Sequence, residues 1–289
     1  RRQRQMCIRD RATGDEANKE RHYFGYAFSE PYYHDIQLNV GSSDKLFSME
    51  IWPYAPSSLS IEIISPLGES TSTIYPSFAC NEFAFEQSRS ILFVNNFVFQ
   101  SGRRNPLILI RFKNPYPGTW YLRILGVETT PFSFHAWLPS GTLISDGTYF
   151  MNADPDTTIT APGNTTDPLT VAAYNQINNS ILTDSGRGYT RLRVIKPDIA
   201  APGYQIPCAV PENQYGMISG TGAAVGYAAG AIAVALEWAS IKINYINLNG
   251  NQIRGLLTFN ALRDPGVTYP NNIWGYGRLD IQNLLNMLS

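Results

Sequence analysis

Cysteine, histidine and charge are all scarce in this chain of 289 residues. Three cysteines without regular spacing supply neither a disulfide framework nor a zinc pattern, which points to a reducing or cysteine-indifferent compartment. Charged residues make up only 16%, and set beside 44% hydrophobic and 12% aromatic residues they exclude a disordered chain. The apolar stretch at residues 222–236 stops at Glu237, short of the roughly 20 residues a bilayer needs, so no membrane span is expected. The length is ample for a buried core and suggests about two domains.

The formal net charge of −1 hides an uneven start. Met6-Cys7-Ile8-Arg9-Asp10-Arg11 resembles the in-frame translation of a transposase adapter used in sequencing libraries, so residues 1–11 are read as foreign to the protein. Without Arg1, Arg2, Arg4, Arg9, Arg11 and Asp10 there remain 17 basic and 22 acidic residues and a net charge of −5. The basic run is then no argument for a nucleic-acid or membrane partner. A reading frame that begins in an adapter also implies a protein truncated upstream.

What is present falls into two textures. Between residues 26 and 138, short runs rich in β-branched and aromatic residues recur at 35–40, 46–52, 59–64, 91–99, 107–112, 120–125 and 132–137. Turn formers separate them, as in Ser65-Pro66-Leu67-Gly68 and Asn114-Pro115-Tyr116-Pro117-Gly118. Evenly spaced short strands predict an antiparallel sandwich or jelly roll. It contains no phosphate loop and no metal cluster, and Trp52, Trp120 and Trp137 are expected in its core. After a link rich in Pro, Gly and Thr at 152–167 the pattern becomes α/β: a strand at 169–174, an approach to a loop at 194–199, helices at 222–240 and 252–258, and a closing helix at 281–288. The helix at 222–240 is apolar on all sides, which predicts burial in the middle of a domain.

Two strings carry the chemistry. Residues 196–203 read Lys-Pro-Asp-Ile-Ala-Ala-Pro-Gly, and residues 219–230 read Ser-Gly-Thr-Gly-Ala-Ala-Val-Gly-Tyr-Ala-Ala-Gly. Together they resemble the last two signatures of the subtilisin-like (S8) serine proteases, K-P-D-(I/V)-x-A-P-G and S-G-T-S-M-A. Arg21-His22-Tyr23, residues 47–52, 110–115, 134–139 and 184–190, and the closing Trp274-Gly275-Tyr276-Gly277-Arg278-Leu279-Asp280 are similar to the Csp family of clostridial germination proteases. That resemblance spans nearly all of residues 12–289. It implies an α/β subtilisin-like domain with a parallel sheet and a buried central helix, interrupted by an all-β jelly roll. The expected division is 12–25 and 169–289 for the subtilase domain, 26–138 for the insertion and 139–168 for a returning linker.

In the family's second signature the nucleophilic serine stands where this chain has Gly222. Gly220 and Thr221 keep the turn, yet glycine offers no atom to attack a carbonyl, and loss of the serine costs subtilisin about 2 × 10⁶ in turnover. Residues 12–18, Ala-Thr-Gly-Asp-Glu-Ala-Asn, resemble the family's A-A-G-N-E-G-N, whose asparagine donates to the oxyanion. Here that place falls to Asp15, and an ionised carboxylate has no proton to give. Ser219 would have to reverse the turn to reach a substrate and is expected to bond the loop backbone. Pro202 and Gly203 support the motif.

The family's aspartate and H-G-T-H motifs are not found. Asp184-Ser185-Gly186 mimics the first but belongs to the loop 184–190, and His22, His34 and His135 lack the second's context. No metal or cofactor is implied. The resemblance implies protein partners: other Csp-type proteases, a prodomain or a zymogen substrate. Three readings remain open, namely a pseudoprotease in spore-germination signalling or protease regulation, an active endopeptidase with a corrupted sequence, and a jelly-roll carbohydrate-binding protein.

Overall fold

The structure, a computed structural model, describes residues 10–54, 58–97, 106–126, 130–242 and 248–287. The chain divides into two compact units: one from its two ends, up to Asn18 and from Pro155 onward, and one from Lys19–Asp154. β1 (Asp10–Ala12) belongs to the first unit. The second unit then follows with β2 (His22–Ala27), β3 (Tyr33–Val40), β4 (Leu46–Pro53), β5 (Leu59–Ile64), β6 (Cys80–Ala84), β7 (Ile91–Phe97), β8 (Leu107–Lys113), β9 (Gly118–Gly126), β10 (Phe132–Trp137) and β11 (Tyr149–Phe150). The first unit resumes with β12 (Leu169–Asn175), β13 (Ser180–Ile181), β14 (Ile199–Pro202), β15 (Ile206–Val210), β16 (Gln214–Ile218), α1 (Thr221–Lys242), α2 (Gly250–Phe259) and α3 (Ile281–Met287).

The strands of the second unit form two antiparallel sheets, ordered β2-β10-β4-β8-β7-β6 and β11-β3-β9-β5. Period-two alternation sends Ile36, Leu38, Met49, Ile51, Ile110 and Leu122 into one shared core. The same alternation corrects the reading of the tryptophans. Trp120 is fully buried there, whereas Trp52 and Trp137 are half-buried at the opposite parity, beside core-facing Ile51 and Ala136.

The ends of this unit lie outside the interval 26–138. His22–Ala27 pairs in register with Phe132–Trp137, and Tyr149–Phe150 pairs with Leu38 and Asn39. The buried Arg21 guanidinium donates to the carbonyls of Gly141 at 2.7 Å and Ile144 at 3.1 Å. Residues 19–25 and 139–154 are thus drawn into the sandwich by backbone pairing and one buried cation, neither of which shows as hydrophobic alternation. The expected run to residue 99 also reaches beyond β7, into residues outside those described.

In the first unit β1 and β14 flank β12 in parallel, and β13 joins it antiparallel. Asp10 and Arg11, expected to stand apart from the fold, pair with Leu169 and Thr170. Backbone ladders are blind to side-chain identity, so this pairing needs only a chain of the right path. Residues 1–9 lie outside the described ones. α1 covers the sheet through Ala224, Ala228, Ile232 and Ala235, whose small side chains meet Val171, Ala173, Ile199 and Ala201. Ile253 and Leu257 of α2 and Leu284 of α3 complete that core. α2 starts at Gly250, two residues before the expected 252, because Asn249 and Gln252 form a reciprocal capping box.

The Lys-Pro-Asp string ties this unit together. Lys196 and Asp198 are fully buried and paired at 2.7 Å. Lys196 also donates to the Pro168 carbonyl at 2.6 Å, Asp198 accepts from Thr170 N–H at 2.6 Å, and Arg254 of α2 meets the other carboxylate oxygen at 2.7 Å. Burial pushes the Lys196 ammonium below its ordinary range, a shift that Asp198 opposes. Replacing one partner strands the other charge in a dry core, so Asp198→Asn is expected to cost about 3–5 kcal/mol in urea unfolding. A loss under 1 kcal/mol would remove this pair from the fold's main supports.

Candidate functional site

The site is built on the ends of β12 and β14. Beyond their last paired residues, Gly203 N–H donates to the Tyr174 carbonyl at 2.8 Å, and Gly220 N–H donates to the Gly203 carbonyl at 2.8 Å. Gly203 is demanded by this close approach: a Cβ there would stand 2.7 Å from Ala173 Cβ and 2.9 Å from the Gly220 oxygen. Pro202, opposite Tyr174, ends the strand. The chain then makes the β15–β16 hairpin and returns to the turn at residues 219–222. Gly220 has φ +123°, a conformation glycine adopts without strain. Ser219 is exposed, and its Oγ accepts from Gln205 N–H at 2.9 Å, the loop-holding role its position suggests. Thr221 is buried and opens α1.

Gly222 is the second residue of that helix and is exposed. No heavy atom lies within 4 Å of where its Cβ would be, so the position is open to a small side chain. The first turn of α1 carries no acidic residue of its own. Its backbone donors are met from far away in sequence: Asp15 Oδ1 accepts from Thr221 N–H at 3.0 Å, across 206 residues. Asp15 Oδ2 lies 3.2 Å from the point where a Gly220 Cβ would stand. A carboxylate is well placed at a helix N-terminus, where the unpaired N–H groups gather partial positive charge.

Residues 13–17 are held from both sides. Thr13 N–H donates to Val171 O at 3.1 Å, extending the β1–β12 ladder, while Thr160 N–H donates to Thr13 O at 2.9 Å. From the loop 184–186, Gly186 N–H donates to Gly14 O at 2.7 Å and Asp184 O accepts from Ala17 N–H at 3.1 Å. Ser185 Oγ accepts from Ala173 N–H at 3.1 Å. The Asp-Ser-Gly mimic therefore acts as a backbone clamp beneath Asp15. Glycine is required at 186, where a Cβ would fall 2.6 Å from Thr13 O. The sequence reading missed Thr160 in this clamp, and nothing in its threonine-rich neighbourhood singles it out.

The structure brings Asp15, Gly220, Thr221 and Gly222 together within the first unit. His22, His34 and His135 all belong to the sandwich unit. His22 Nε2 and His135 Nδ1 share a hydrogen bond at 2.7 Å, Tyr54 Oη meets His135 Nε2 at 2.9 Å, and Tyr23 Oη meets His34 Nε2 at 2.7 Å. Among the described residues no three His, Cys, Asp or Glu side chains gather as metal ligands.

Residues 144–277 match the subtilase family, Peptidase S8. The structure is similar to that of the Clostridium perfringens CspB protease, with a TM-score of 0.87 and 28% identity over 97% of this chain. The chain spans 59% of the length of that CspB chain. The prenylagaramide maturation protease PagA and the self-cleaved protease domain of PatA match over 46% of this chain at 23% identity, with TM-scores of 0.40 and 0.39. PagA and PatA are covered over 47% and 46% of their own lengths. No curated protein matches.

The bond from Thr221 N–H makes Asp15 a cap for α1. Asp15→Ala is expected to lower stability by about 1 kcal/mol, while Asp15→Asn, which keeps the accepting Oδ1, loses less. Equal losses in thermal or denaturant unfolding would show that the cap carries no stability.

Proposed function

Because residues 144–277 carry a domain of the subtilase family and the fold is of the Csp type, we propose that this chain is a catalytically degenerate member, a pseudoprotease that works by binding. The observation that carries this reading is the start of α1. A glycine occupies the nucleophile's place, and a carboxylate lies against the helix end where an oxyanion would need donors. A peptide carbonyl placed there would meet no attacking oxygen, and the charge developing on it would face Asp15. Loss of one oxyanion donor costs subtilisin about 10²–10³ in turnover, and repulsion adds to that. Its place is then in spore-germination signalling or protease regulation, with another Csp-type protease, a prodomain or a zymogen substrate as partner. The sandwich is read as the jelly-roll insertion of such proteins, a reading supported by consecutive strands β2 to β5, and again β8 to β11, alternating between the two sheets.

One observation favours a second reading, an active endopeptidase whose sequence was corrupted. The open space at Gly222 would admit serine without rearrangement. Asparagine at position 15 would keep the bond to Thr221 N–H and turn the other carboxylate oxygen into a donor. Resequencing codons 15 and 222 from source DNA separates the two readings.

The chain is expected to stay unlabelled by a fluorophosphonate probe, and covalent labelling that survives mutation of Ser219 would overturn the pseudoprotease reading. Where the upstream aspartate and histidine motifs are present, Gly222→Ser alone is expected to give little peptide cleavage. Adding Asp15→Asn should raise it by about 10²–10³. Equal activity of the single and double variants would mean that Asp15 does not oppose the oxyanion.

A further inference from the structure

The second unit holds all three histidines of the chain, and two of them lie inside it. His22 of β2 and His135 of β10 are 1% and 6% exposed and share the 2.7 Å bond between His22 Nε2 and His135 Nδ1. Aromatic rings fix both imidazoles in place. Trp137 stacks on His22 at 5.0 Å and on His135 at 5.1 Å, and Phe24 packs against His135 at 5.0 Å. At the outer ends of the pair, His22 Nδ1 lies 3.1 Å from the Asp154 carbonyl oxygen and His135 Nε2 lies 2.9 Å from Tyr54 Oη.

These partners settle where the protons sit. A carbonyl only accepts, so His22 Nδ1 carries a hydrogen, and a single N–H fits between the rings, since two would point at each other. Tyr54 Oη donates to a neutral His135 or accepts from a charged one, so the pair accommodates one extra proton. A second sets N–H against N–H where burial leaves no water to take the displaced hydrogen. The neighbouring ionisable groups do not lift this limit. On the same face stand Glu50 and Tyr54 of β4 and Tyr26 of β2, and Glu50 is exposed and accepts from Trp52 Nε1 at 2.9 Å. Arg21 and Tyr23 have the opposite parity, where Arg21 serves the Gly141 and Ile144 carbonyls and Tyr23 meets His34 of β3. β10 carries no other ionisable side chain, and Asp154 brings its carbonyl to the pair.

We propose that His22 and His135 form an acid-sensitive latch, which fastens the end of the sandwich unit to its first strand and opens when both imidazoles are charged. Asp154, the last residue of that unit, is held twice by His22: its carbonyl takes the ring N–H, and its own N–H donates to the His22 carbonyl at 2.9 Å. The two rings titrate as a pair. In the unfolded chain both bind a proton as pH falls through about 6.5, whereas the closed latch admits one. The contribution of the latch is therefore complete above that pH and is lost in acid, by about tenfold in the folding constant per pH unit once the unfolded chain is doubly charged. The latch lies wholly within the sandwich, so it does not depend on whether the chain cuts peptide bonds.

The test compares the complete chain with His22→Gln, whose amide offers an N–H to the Asp154 carbonyl and an oxygen to His135 Nδ1 but takes up no proton. Between pH of about 5.5 and about 4.5 the unaltered chain is expected to lose about tenfold more in its folding constant, read from urea unfolding, than the variant does. The Asp154 amide, corrected for its intrinsic exchange rate, is expected to exchange about tenfold faster at pH of about 5 than at about 7 in the unaltered chain only. Equal pH slopes in the two proteins overturn the latch, as does Asp154 exchange that ignores pH. If His22→Gln does not fold, the imidazole ¹⁵N signals of the unaltered chain decide. At pH of about 5 one ring of the pair is expected to remain neutral, and imidazolium at both His22 and His135 in the folded protein overturns the proposal.

Discussion

A buried charge must be paired, and the pairing of Lys196 with Asp198 sets the geometry of the α/β unit. Because Asp198 also takes the Thr170 N–H, it locks β14 against β12 in one parallel register, Val171 beside Ile199 and Tyr174 beside Pro202. A slip of one residue would carry the two charges together but break their bonds to the Thr170 N–H and the Pro168 carbonyl, leaving buried polar groups unsatisfied. The register in turn places Gly203 at the end of the ladder, Gly203 receives Gly220, and Gly220 begins α1. The position of Gly222 is thus the last link of a chain that starts with two charges in the interior.

At that last link the same feature has opposite values for folding and for chemistry. A helix N-terminus stabilises negative charge, whether the charge belongs to a transition state or to the protein. Asp15 takes the Thr221 N–H there, a contact that favours the fold and uses a donor of the helix end. On the proposed reading, in which Gly222 stands in the nucleophile's place, a catalytic corner has become a capped helix end whose approach remains open.

Much of this was legible because the signals are periodic or unique. The strands at 35–40, 46–52, 59–64 and 107–112 announce themselves by alternation, and the Lys-Pro-Asp string by the rarity of its order. What escaped lacked such marks. β2 reads His-Tyr-Phe-Gly-Tyr-Ala with aromatics at successive positions, so no face stands out, and the sandwich claims it through pairing with β10. β6 and the β15–β16 hairpin carry few buried residues and form through backbone bonds to neighbours. The capping box of α2 is a two-residue signal that a hydrophobic pattern does not contain.

Residue identity alone determined that position 222 offers no side-chain nucleophile, since no arrangement of the chain gives glycine one. It also determined that α1 would be apolar throughout, a matter of composition. Only the tertiary structure decided that Asp15 and Thr221 meet, since a hydrogen bond across 206 residues depends on the clamps at Thr160 and Gly186. It alone decided which side of α1 is buried, because a helix without a polar face has no preference of its own and turns whichever side the sheet presents to it.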